Sequence, residues 1–254
     1  MFTLRQYLLA LLDSRGLTRT LGEIDVCRDE QGRPCFSAGN SAAVFRIRLG
    51  GRIRSLRCYL RPMRHLKEIY GQRLLEKELY LHTSPETGVW VDTVLGDWIE
   101  GSTLHETVAQ AAALRDRESL QILVRLFDRL ALALVTDNRA HGDLKPENII
   151  VGDDGTLCPI DFDASYLPAF AGEISPELGP AAYQHPARTA ADFDERIDDY
   201  PAALISTALH ALAEDPTLWD RYGSSDGLLY TPQRIASDPD QVATEHPYTR
   251  NNSP

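Results

Sequence analysis

No apolar run in this sequence approaches the roughly 20 residues that a membrane-spanning helix needs, so nothing in it reads as a bilayer segment. The opening stretch MFTLRQYLLALLDSR is charged too soon to be one. It also lacks a basic leader and a small-residue cleavage site, so it reads as a helix of the folded protein, not a secretory signal. Cysteine is scarce: Cys27, Cys35, Cys58 and Cys158 stand without any Cys-x-x-Cys pair, and the seven histidines are dispersed. That pattern argues against a structural zinc site and predicts reduced thiols in a cytoplasmic protein. Positive charge is in deficit, with 26 Lys and Arg against 37 Asp and Glu and a formal net charge of -11. Non-specific nucleic-acid binding is therefore disfavoured. Internal repeats and low-complexity tracts are absent as well.

What is present suits a soluble chain with a sizeable core: 254 residues, 43% hydrophobic and 25% charged. The charge is unevenly distributed. Residues 46 to 77 carry ten Arg or Lys against two Glu, whereas residues 137 to 200 carry fourteen acids against four bases. The basic stretch reads either as solvated faces or as a docking surface for an acidic partner.

Helical spacing over residues 2 to 12 stops near Gly16. CFSAGNSAAVFRIRL and RIRSLRCYL then flank Gly50-Gly51, which predicts two strands in a tight hairpin. LKEIYGQRLLEKELYLH places Leu66, Ile69, Tyr70, Leu74 and Leu81 at helical spacing and predicts a helix. VWVDTVLGDWI predicts a further strand. After Gly101 the sequence turns helical, through STLHETVAQAAAL and RESLQILVRLFDRLALALV. Two short strands, NIIV and TLCPI, surround Gly152-Asp153-Asp154-Gly155, a loop rich in Pro and Gly runs to about Asp194, and IDDYPAALISTALHALAED predicts a last helix. The order implies two lobes, one rich in strands and one mostly helical.

Between the helical and strand segments stands HGDLKPEN, residues 141 to 148. Phosphoryl transfer needs a group to orient the acceptor hydroxyl, metal ligands for the phosphates and a cation to offset developing charge. Asp143 can take the first role, Lys145 the last, and Asn148 can hold magnesium through its amide oxygen. A second metal ligand, Asp161, follows in CPIDFD after an apolar strand.

These residues resemble the eukaryotic-type protein kinase family, in which H-R-D-x-K-x-x-N and D-F-G carry the chemistry. The resemblance covers roughly residues 35 to 213, judged by motif order. It implies an α+β, two-lobed kinase-like fold with a truncated helical lobe, divided into an N-terminal helix (1–20), an N-lobe (24–99), a C-lobe (100–235) and a tail (236–254). SAGNSAAVF matches the nucleotide-covering loop with Ser37, Gly39 and Ala42 at the glycine positions, followed by Val44. Arg57 stands where the family has its strand lysine, and Glu76 stands at the place of its helix glutamate, with Glu78 as the alternative partner. LGDWIEG is similar to the hinge, which assigns Asp97 and Ile99 to an adenine edge; Trp98 there serves the same purpose or simply packs. His141 and Asp198 take structural roles, Asp198 supporting the catalytic-loop backbone.

Several positions depart from the family. The covering loop keeps one glycine, Asp163 replaces the glycine after Asp-Phe, and Gly142 replaces an arginine that reads activation-loop phosphate. His185-Pro186-Ala187 replaces A-P-E, and little sequence follows Glu214 to build a peptide platform. The resemblance implies a compact bacterial transferase that uses ATP and Mg2+ on a Ser or Thr hydroxyl. A pseudokinase that docks a partner, and a kinase for small-molecule hydroxyls, are the alternatives.

Overall fold

Thr3 and Gln6 start the first helix with a reciprocal cap. The Thr3 hydroxyl accepts the Gln6 N–H at 3.3 Å, and the Gln6 amide oxygen accepts the Thr3 N–H at 2.9 Å. In the computed structural model, which describes residues 1–225 and 227–230, α1 (Leu4–Leu12) follows that cap. The chain divides into two compact units, Met1–Trp98 and Ile99 onward. Among the described residues no helix is long and apolar enough to cross a membrane. The expected tail, 236–254, and the end of the expected C-lobe, 231–235, lie outside the described residues.

The first unit is built on strands β1 (Asp25–Val26), β2 (Phe36–Ala38), β3 (Ala42–Leu49) and β4 (Arg52–Tyr59). Gly50 and Gly51 join β3 to β4 with φ of +56° and +81°, the two positive values that a tight I′ hairpin turn requires. After a short α2 (Leu66–Tyr70) come β5 (Leu74–His82) and β6 (Gly88–Asp97). The antiparallel sheet runs β1-β3-β4-β6-β5, with β2 also paired to β3. Phe45 lies opposite Leu56 and Ala43 opposite Cys58, and this face is buried with Tyr7 and Leu11 of α1, Leu79 and Leu81. Burial of Tyr7 pushes its phenol above the usual range, and its hydroxyl donates to the Tyr59 carbonyl at 2.6 Å. The alternate residues, Val44 opposite Arg57 and Arg57 opposite Val94, share the other face.

The expected helix over residues 66 to 82 is corrected. It ends at Tyr70, because Gly71 takes φ +53°; a 3-10 turn spans Gly71–Arg73, and the rest is β5. The strand escapes a period-two reading because its register shifts between Leu75 and Leu79, where Lys77 adopts φ +50°. Glu76 therefore sits on a strand, not a helix, and pairs with Lys67 at 3.4 Å.

In the second unit β7 (Gly101–Thr103) leads into α3 (Leu104–Ala113), whose Thr103 and Glu106 again form a capping box. Asp116 caps α4 (Arg117–Thr136). β8 (Ile149–Gly152) and β9 (Leu157–Pro159) form a hairpin, giving the three-stranded order β7-β8-β9. α5 (Asp199–Glu214) and α6 (Leu218–Tyr222) complete it. Pro201 lies in the first turn of α5, where no intrahelical N–H is needed. Leu120, Phe127, Leu144, Ile149, Ile205 and Leu209 form the core. Asp128 of α4 accepts hydrogen bonds from Ser206 and His210 of α5 at 2.6 and 2.9 Å. The core thus anchors Leu144 within, and Ile149 directly after, the segment HGDLKPEN.

Candidate functional site

The loop between α4 and β8 is held from behind by a buried carboxylate. Asp198, 1% exposed, accepts the backbone N–H of His141 on one oxygen and that of Gly142 at 3.0 Å on the other. Burial pushes this carboxyl up, while His141 and the two N–H donors oppose the shift. His141 is fixed by its own bonds: Nε2–H donates to the Ile160 carbonyl at 2.7 Å, and Nδ1 accepts the Asp143 N–H at 3.4 Å. Those two partners assign the Nε2–H tautomer. The Phe162 ring lies against it, centroids 4.9 Å apart.

Asp143 is 7% exposed. Its Oδ2 accepts from Lys145 Nζ at 2.8 Å and from the Asn148 amide at 2.9 Å. Its Oδ1 is buried without a hydrogen-bond donor. The 3-10 turn Pro146–Asn148 places Asn148 beneath Asp143, where its amide nitrogen also donates to the Asp143 carbonyl at 2.9 Å. The Ile160 N–H then donates to the Asn148 carbonyl at 2.9 Å, so Asp161 begins one residue beyond a direct tie to Asn148. Asp161 adopts the left-handed region, φ +66° and ψ +64°, a conformation disfavoured for a non-glycine residue. Asp163 is buried at 2% within the 3-10 turn Phe162–Ala164.

Gly142 has a physical explanation. Its φ is +81°, and an added Cβ would lie 2.0 Å from the Ala164 carbonyl oxygen. The loop and the segment after Asp161 are also tied by paired backbone bonds between Ala140 and Tyr166, at 3.1 and 3.0 Å. Only glycine fits this close approach. Gly142→Ala is expected to cost roughly 2–5 kcal/mol, from left-handed strain plus steric displacement, measured by urea unfolding. A change within about 0.5 kcal/mol would show that the Ala164 backbone yields freely.

Gly179 packs against the same aspartate, with Gln184 and Arg188 beside it, although the motif pattern assigns no role to these three. A Cβ on Gly179 would lie 2.5 Å from Asp143 Oδ1 and 2.9 Å from Gln184 Nε2. Arg188 donates to Gln184 Oε1 and, at 3.3 Å, to Ser175 Oγ. Its burial lowers the guanidinium pKa, against the pull of Asp198, Asp192, Asp194 and Asp143. They lie in LGPAAYQHPAR, the segment that resembles the family's A-P-E stretch, but that resemblance assigns a position only to His185-Pro186-Ala187.

In the first unit, Gly39 forms the β2–β3 turn, its N–H donating to the Ala42 carbonyl at 2.9 Å. Arg57 lies over the Tyr59 ring at 5.7 Å. Glu78 is not a partner for it: its buried carboxylate accepts the N–H groups of Arg19, Thr20 and Leu21 and the Thr20 hydroxyl. At the end of β6 the Ser55 hydroxyl donates to the Asp97 carbonyl at 3.1 Å, and Arg54 pairs with the Asp97 side chain at 3.3 Å. Trp98 lies under the Arg46 guanidinium at 5.6 Å, a packing role. Ile99 opens the second unit.

Together the α+β architecture and this loop define a kinase-like fold. No family model matches the chain. It is similar to CBL-interacting protein kinase 17 of Oryza sativa subsp. japonica, 28% identical over 171 residues that make up 64% of this chain and 35% of that protein. It is also similar to the serine/threonine-protein kinase PknL of Mycobacterium tuberculosis, 33% identical over 113 residues, 42% of this chain and 27% of that one. Serine/threonine-protein kinase chk1 of Schizosaccharomyces pombe is 25% identical over 160 residues, 61% and 31% of the two chains. The chain spans about a third of the length of these relatives. They support a kinase-like relationship.

Proposed function

We propose that this chain transfers the γ-phosphate of ATP, with magnesium, to a Ser or Thr hydroxyl of a protein acceptor. The observation that carries the reading is Asp143: one carboxylate oxygen is saturated by Lys145 and Asn148, and the other is buried without a donor. A buried acceptor atom of this kind is costly unless a ligand hydrogen completes it. An acceptor hydroxyl supplies that hydrogen. Asp143 orients it, and Lys145, already at 2.8 Å from Asp143, offsets charge on the transferring group.

The donor set also suits magnesium. No cluster of three or more His, Cys, Asp or Glu side chains forms a metal-binding group among the described residues, but magnesium keeps water and substrate phosphate in its shell and needs few protein ligands. Asn148 turns its amide nitrogen to Asp143, so its amide oxygen would hold the metal, with Asp161 as the second protein ligand. When bound, the ion offsets the phosphate charge. In the first unit Gly39, Ala42, Val44 and Arg57 would contact the nucleotide, with Asp97 and Ile99 at the adenine edge and Glu76 as a candidate partner of Arg57. A cytoplasmic setting belongs to the same proposal.

Thermal unfolding with ATP, with and without magnesium, tests the reading in wild type and Asp161→Ala. The wild-type melting temperature should rise only when both are present, since a ligand at 100 times its Kd adds about 2.7 kcal/mol. The rise should vanish in Asp161→Ala. No wild-type rise at millimolar ATP would sink the reading.

A further inference from the structure

Away from the phosphotransfer residues, the arm between β1 and β2 brings two thiols face to face. Arg28 is bridged to Pro34, the Asp29 N–H donates to the Arg33 carbonyl at 2.9 Å, and the Cys35 N–H donates to the Cys27 carbonyl at 2.8 Å. This register sets Cys27 directly opposite Cys35. The pair is held a second time by β3, because the Cys27 N–H donates to the Arg46 carbonyl and the Arg46 N–H to the Cys35 carbonyl, both at 2.9 Å.

The tip of the arm is equally fixed. Asp29 Oδ1 accepts the N–H groups of Gln31 and Arg33 at 3.0 and 2.8 Å, Gly32 takes φ +77°, and the Arg28 guanidinium donates to the Gly32 carbonyl at 2.8 Å. Cys27 and Cys35 share one of the two bonds that a hydrogen-bonded antiparallel pair exchanges, the second donor and acceptor being taken by Arg46; opposed residues of such pairs have Cα atoms about 4.5–5.5 Å apart and side chains on one face. A disulfide needs a Cα separation of about 4.4–6.8 Å. Both cysteines are free and half-buried, whereas Cys58 is fully buried opposite Ala43 and Cys158 belongs to β9 of the other unit.

We propose that Cys27 and Cys35 form a reversible disulfide that closes this arm when the protein meets an oxidised low-molecular-weight disulfide such as oxidised glutathione. The thiolate of one cysteine attacks a glutathione sulfur, making a mixed disulfide while the glutathione S–S bond breaks and one glutathione leaves. The second thiolate attacks the protein sulfur, making the Cys27–Cys35 bond and releasing the second glutathione. Two protons leave the cysteine thiols, and two electrons reduce oxidised glutathione to two thiols. The bond ties the end of β1 to the start of β2 at the register of Arg46.

The full chain is equilibrated with oxidised and reduced glutathione at increasing ratios, remaining thiols are alkylated, and unreduced tryptic peptides are weighed by mass spectrometry. Cleavage after Arg28 separates the cysteines, so peptides 20–28 and 29–46 stay joined only through the disulfide. The joined peptide should accumulate with the oxidised fraction, lack two hydrogen atoms and disappear with dithiothreitol. Cys35→Ser should instead carry glutathione on Cys27. Separate glutathione adducts on both cysteines of the wild type, persistent alkylation of both, or a bond to Cys158 would each overturn the proposal.

Discussion

Asp143→Asn should lower phosphate transfer by about 10²–10⁴-fold, the contribution of a positioned acid-base group, while the fold survives. Asparagine keeps an oxygen for Lys145 and Asn148, and its amide nitrogen falls where Oδ1 has no donor to clash with. What is lost is the charge and the acceptor facing the substrate hydroxyl. Stability should stay within roughly 1 kcal/mol of wild type, as for a near-isosteric change without steric conflict. Parallel rate measurements and thermal unfolding separate the two effects. A variant that transfers phosphate at the wild-type rate would remove Asp143 from the chemistry.

Asp198→Asn should act in the opposite order, on the fold first. The carboxylate accepts two backbone N–H groups, from His141 and Gly142, at a position 1% exposed. An amide offers one acceptor and turns N–H against N–H at the other, so one buried donor goes unpaired. The expected loss is about 2–4 kcal/mol, or a fall of roughly 5–15 °C in Tm for a chain of this size. Transfer should fall with it, because the same two bonds set the position of Asp143. Burial pushes this carboxyl up, which gives the experiment a clear opposite: if the group were protonated in the native protein, asparagine would mimic it and Tm would barely move.

Much of this architecture is legible in the amino-acid pattern. The Gly50-Gly51 hairpin, the β8–β9 hairpin and the long α4 follow from local turn chemistry and periodicity, which need no tertiary information. The β5 segment does not, because the irregularity at Lys77 resets the alternation and leaves Leu66, Leu74 and Leu81 at spacings that mimic a helix. That spacing puts Glu76 on a helix, and only the strand pairing corrects it. HGDLKPEN declares its residues because their chemistry is packed into eight positions. The surroundings of Asp143 do not declare themselves: Gly179 packs against it from 36 residues away along the chain, beside Gln184 and its partner Arg188. Gly142 lies between these cases. Its substitution is visible in the sequence, but its cause, the Ala164 carbonyl against its Cα, exists only in the folded chain.

The central claim is that Asp143 and its partners transfer phosphate rather than merely keep the shape of a site that does. The most direct measurement is incubation of the wild-type chain with γ-labelled ATP, magnesium and a mixed library of Ser- and Thr-containing peptides, followed by identification of labelled residues. Magnesium-dependent label on Ser or Thr, in the library or on the chain itself, and its disappearance in Asp143→Asn, is the predicted result. Nucleotide binding with no label on any hydroxyl would contradict it.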